Sequence, residues 1–137
     1  MQAKEFLNKI RHIDMMIDCK LEQTSNLRSR LTSINVSMGE RVQSSLDPDK
    51  FTNTISKIVE LEKEINDDID KLVDLKSIAR NVIEQLENEV EKVILYKRYF
   101  ENKTFEQISV ELNYSWRRIH QFHGDALKKL ERLHIIS

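Results

Sequence analysis

From Phe6 to Leu31 the apolar residues advance in alternating steps of three and four. Phe6, Ile10, Ile13, Ile17, Leu27 and Leu31 make up the series, with Lys20 and Thr24 as its polar members. That spacing draws a narrow stripe along a helix, suited to lying against one other helix rather than burying a broad face. A second series runs through Phe51, Ile55, Ile58, Ile65, Ile69, Leu72, Ala79, Ile83 and Leu86, broken only by Glu62 and Lys76. Two such seams predict an all-α chain that begins with a long antiparallel helical hairpin, a coiled-coil-like arm. The composition agrees, since two Gly and one Pro in 137 residues leave few tight turns, and 33% charged residues suit long solvated helices. The first helix is expected over residues 3–32, with Met15 and Met16 widening its seam. Residues 33–48 read as a loop, because Gly39, several serines and Asp47-Pro48 interrupt the period. Asp47-Pro48 then suits a helix start. The arm is placed at residues 1–75, with a break near 76–88. Short helices are expected at about Lys76–Gln85 and Asn88–Phe100.

Charge divides the chain more sharply than its net value of -1 suggests. Residues 58–91 hold four basic and eleven acidic side chains, whereas residues 92–137 hold nine basic and five acidic. A polyanion would be attracted to the C-terminal part and repelled from the middle. The acidic run Glu60, Glu64, Asp67, Asp68, Asp70 and Asp74 lacks the loop and glycine of a calcium site and reads as a solvated face.

The basic end coincides with a local motif. Thr104 and Gln107 fit a capping box, and Phe105, Ile108 and Leu112 then share one helical face. Asn113 tolerates the left-handed conformation that a helix end requires, and Ser115 is a good N-cap for the next helix. That helix sets Ile119, Phe122, Ala126 and Leu130 on one side and Arg117, His120, Gln121, Gly124 and Lys128 on another. Two short helices joined by three or four residues, the second amphipathic and basic, form a helix-turn-helix. Residues 76–137 are therefore expected to be a DNA-binding domain. Gly124 is expected to admit a close backbone approach.

The run Val93 to Arg132 resembles region 4 of sigma-70-type sigma factors. The landmarks are Arg98-Tyr99, Thr104 with Glu106 and Ile108, Leu112 before the turn, Ile119-His120-Gln121, and Ala126-Leu127-Lys128-Lys129-Leu130. It is still more similar to the small phage-encoded late-gene regulators of the ArpU/RinA type. The resemblance implies a recognition helix at residues 115–132 in the major groove, with contacts to DNA from Trp116, Arg117, His120 and Gln121. Trp116 and His120 depart from the arginines that sigma factors usually carry there. By side-chain chemistry Arg117 suits guanine and Gln121 suits adenine. Lys103, Lys128 and Lys129 suit phosphate, helped by the helix start at Thr104. Ser115 caps the recognition helix, and Arg118 either joins the contact set or pairs with Glu111.

No phosphate loop, nucleophile elbow or metal-ligand spacing appears, so neither an enzyme nor a cofactor is expected. No apolar run suits a membrane span and the single Cys19 fits an intracellular protein, while the resemblance implies the cytoplasm of a bacterial host cell. The expected partners are double-stranded DNA, a second copy of the chain in a homodimer, and bacterial RNA polymerase. The alternatives are a DNA-recognising subunit of a phage packaging complex and an adaptor using the same fold for protein contacts.

Overall fold

A computed structural model describes residues 2–40 and 48–133. The chain is all-α: α1 (Ala3–Glu40), α2 (Pro48–Ile83), α3 (Glu89–Leu95), a π turn (Tyr96–Phe100), α4 (Phe105–Leu112) and α5 (Trp116–Arg132). It divides into two compact units, one of residues 14–71 and one of residues 1–13 with 72–137.

The 14–71 unit packs α1 against α2 in antiparallel sense. Lys20 meets Asp68 at 2.7 Å and Glu64 at 3.5 Å, and Arg28 pairs with Glu62, so contacts run up one helix and down the other. Ile17, Ile58 and Ile65 are buried in the seam. The buried Thr24 hydroxyl donates to the Lys20 carbonyl at 2.9 Å, so its burial leaves no unmet polar group. Both polar members of the first series are thus accommodated.

Three local expectations need correction. The loop expected from residue 33 does not start there: α1 runs on to Glu40, because an established helix extends through residues of middling propensity more readily than a new one starts. Residues 41–47, with the expected Asp47 cap, lie outside the described residues. The break expected near 76–88 is present, after Ile83. The separate helix expected from Lys76 is instead the last part of α2, where Leu72, Ala79 and Ile83 keep the seam buried and no Pro or Gly interrupts. Met15 and Met16 are exposed rather than part of the seam.

In the second unit α2 ends in a turn closed by Gln85 N–H to Val82 O (3.1 Å) and Leu86 N–H to Ile83 O (3.0 Å). The Asn88 side chain then caps α3, accepting from Val90 N–H at 2.9 Å and Glu91 N–H at 3.2 Å. The expected helix at 88–100 is therefore present, but its second half widens into the π turn. Ile94, Ile108, Ile119 and Phe122 form a cluster, with Val90, Phe105 and Leu112 packed against it. Three helices thereby hold each other at the angles that fix α5. Ala3, Leu7 and Ile10 of α1 are also fully buried in this unit, and the Ala3 N–H donates to the Glu131 carboxylate. None of the described helices is long and apolar enough to cross a membrane.

Candidate nucleic-acid interface

The motif at residues 104–132 is built from short-range chemistry. Gln107 N–H donates to Thr104 Oγ1 at 3.1 Å while Thr104 N–H donates to Gln107 Oε1 at 2.8 Å, completing the capping box of α4. Asn113 ends α4 in the left-handed region, φ 59° and ψ 36°. The Ser109 hydroxyl donates to the Tyr114 carbonyl at 2.5 Å and stiffens the turn. Ser115 then caps α5, accepting from Arg118 N–H at 3.1 Å. The second helix is aimed by these bonds and by the apolar cluster beneath it.

On α5 the proposed readers differ in their surroundings. Arg117 and Gln121 are exposed, and Arg117 has no hydrogen-bond or ion-pair partner among the described residues. Gln121 accepts from Arg118 at 3.1 Å, and the Arg118 guanidinium lies 4.3 Å from the Phe122 ring centroid. That placement replaces the expected Arg118–Glu111 pair, because Glu111 is taken by Lys97 (2.9 Å) and Lys103 (2.5 Å). Trp116 is 53% exposed at the first turn, its ring 3.9 Å from that of His120. His120 in turn rests 4.2 Å from the Phe105 ring. His120 is thus held between two aromatic rings, with Nε2 buried and without a hydrogen-bond partner among the described residues.

The cations expected at phosphate separate into two kinds. Lys128 is exposed and has no carboxylate partner among the described residues. Lys103 is engaged by Glu111 and, at 3.4 Å, by Glu101, which hold its ammonium above the ordinary lysine range. Lys129 reaches back to both oxygens of the buried Glu91, at 2.9 and 3.1 Å. Gly124 admits no close neighbour: an added Cβ would meet nothing within 4 Å. The expected close approach there is absent.

Residues 76–132 match the family model for Sigma-70, region 4. By that match the stretch is similar to region 4 domains. The match covers less than half of the chain. No curated protein and no solved structure matches the chain. Region 4 domains are non-catalytic helix-turn-helix domains that bind DNA in transcription. The α4–turn–α5 geometry supplies that motif, with an arginine at the first turn of its second helix that has no partner among the described residues.

Beneath the region 4 surface lies a polar pair that sequence reading passed over. Tyr99 and His123 are both buried, with the Tyr99 hydroxyl 2.7 Å from His123 Nε2. Burial, with Lys4, His120 and Arg98 nearby, pushes the His123 pKa down from 6.5 to about 4. Burial also pushes Tyr99 up to about 12. A neutral imidazole therefore accepts from the phenol throughout the neutral range. Because the folded pKa lies below the unfolded one, the contribution is full above pH 6.5 and is lost as pH falls towards 4. Unfolding free energy should drop by about 2 kcal/mol between pH 6.5 and 5 from this group. Denaturant titrations of the chain and of His123→Gln should differ in slope over that window. Parallel slopes would remove the assignment.

Proposed function

We propose that the chain is a sequence-specific DNA-binding regulator of transcription, of phage or prophage type, that acts as a twofold dimer. The N-terminal half of α5 enters the major groove, where Arg117 and Gln121 meet base edges and Trp116 and His120 line the approach. Lys128 faces phosphate, with Lys103, Lys129 and the Thr104 and Ser115 helix starts around it. The hairpin helices join two copies and offer a docking face to bacterial RNA polymerase. The phage assignment rests on the likeness of residues 93–132 to the ArpU/RinA type. The observation that carries the DNA reading is Arg117, without a partner among the described residues, on the first turn of an amphipathic second helix in a stretch that matches region 4.

Binding isotherms on duplexes selected from random DNA test it. Arg117→Ala should cost ~1–3 kcal/mol at one base position and relax the preference there. Lys128→Ala should weaken all sequences alike and lower the salt slope by about one unit. If both folded variants bind like the parent, α5 is not the reader, and an adaptor that binds protein becomes the better account.

A further inference from the structure

The 14–71 unit has two unlike sides. One groove between its helices is rimmed by charge, with Arg30, Lys57, Glu60 and Glu64 around Leu27 and Leu61. The other side carries fewer charges and mixes apolar residues with Thr24, Ser25, Thr32 and Asn66. There Leu21 is 50% exposed, Ile55 40%, Val59 58% and Ile69 41%, above a floor that includes Ile58 and Ile65. Among the described residues one cation and one anion line that side, and they neutralise each other as the Arg28–Glu62 pair.

The exposed stripe of α2 has a symmetry of its own. Its positions Ile55, Val59, Glu62, Asn66 and Ile69 advance by alternating fours and threes, so they form one straight seam. Val59 and Ile69 are equally distant from position 64, and so are Glu62 and Asn66. A second α2 laid antiparallel and centred there sets each Val59 on the other copy's Ile69. It also sets each Asn66 amide opposite the other copy's Glu62. The seam is complementary to itself, which is the condition for an isologous contact. The charge pattern agrees, since stacking two neutral faces brings no unpaired like charges together. From these observations we infer that this face binds a second copy of the chain, α2 against α2 in antiparallel register about position 64.

This inference rests on the twofold assembly proposed above and specifies its surface; it does not depend on DNA binding. Two single-cysteine chains test it, both carrying Cys19→Ser: one with Glu62→Cys and the other with Asn66→Cys, treated with a short bis-maleimide. The mixed sample should crosslink roughly tenfold faster than either chain alone, because only the mixed dimer sets the two thiols opposite each other. Val59→Asp should shift the protein from dimer to monomer in light scattering while keeping its helical circular dichroism, since residue 59 is exposed in the single chain. A dimer whose mixed crosslinking is no faster than that of the single chains overturns the register but spares the twofold assembly. A parent chain that is monomeric at micromolar concentration overturns both. A Val59→Asp chain that stays dimeric removes this face from the contact.

Discussion

Deleting residues 2–13 will abolish DNA binding, although none of them belongs to the helix-turn-helix. Ala3, Leu7 and Ile10 are at most 1% exposed, Phe6 is buried, and all four belong to the compact unit that contains the region 4 domain. Truncating one buried leucine or isoleucine to alanine costs ~2–5 kcal/mol. Removing the whole segment forfeits several such terms together, against a total stability on the order of 5–15 kcal/mol for a domain. The deletion also strips Glu131 of the Ala3 N–H it accepts from. A milder variant separates folding from contact. Leu7→Ala should lose about 3 kcal/mol in urea titrations yet bind DNA with near-parental affinity wherever it remains folded. A 14–137 chain that keeps its cooperative unfolding and its affinity would show that the region 4 fold stands without α1.

The second large effect separates two adjacent lysines. Glu91 is buried, with a side chain 3% exposed, and Lys129 supplies its cation. Lys129→Ala would leave that carboxylate uncompensated, which should cost about 3 kcal/mol of stability, the low end for breaking a buried pair because Lys129 is itself half-exposed. Lys128→Ala should leave stability within ~0.5 kcal/mol, as expected for an exposed side chain without partners. In DNA binding the order reverses: at low temperature, where both variants are folded, Lys128→Ala should show the larger loss of salt dependence. Glu91→Gln combined with Lys129→Ala should recover part of the lost stability, since a neutral amide is less costly to bury than a charge. Equal thermal midpoints for Lys128→Ala and Lys129→Ala would show that the Glu91 contact contributes little.

Features set by neighbours in sequence were legible before the structure. The capping box at Thr104–Gln107, the left-handed Asn113, the Ser115 cap and most of the two seams each depend on residues a turn or two apart, so the local pattern carries them, although Ile55 and Ile69 of the second series are exposed. What escaped depends on distant parts of the chain. Nothing in the 4-3 spacing of Phe6 and Ile10 distinguishes a helix that packs only within a hairpin from one that also completes another core. Tyr99 and His123 are each unremarkable in their own segments, and only packing brings them together. Glu91 looked like one acid among many, and Lys129 like its basic neighbour, until burial separated them. The π turn at Tyr96–Phe100 has no sequence mark either, since it is a change in helix pitch rather than a stop.

The burial of Ala3, Leu7 and Ile10 in one unit with residues from Leu72 onward also sets an order of events during synthesis. The ribosome releases the first turns of α1 early, but α5, which carries Glu131, leaves the tunnel only after all the other described helices. Until then the apolar stripe at the N-terminus has no region 4 core to enter, because its partners begin at Leu72. A chain halted anywhere before α5 therefore carries neither a complete reader nor a sealed core. Such abortive products would fail to occupy DNA targets and would leave the first stripe open to chaperones and proteases. Quality control is thus written into the distance between Ala3 and Glu131: only a polypeptide that extends through α5 closes this fold.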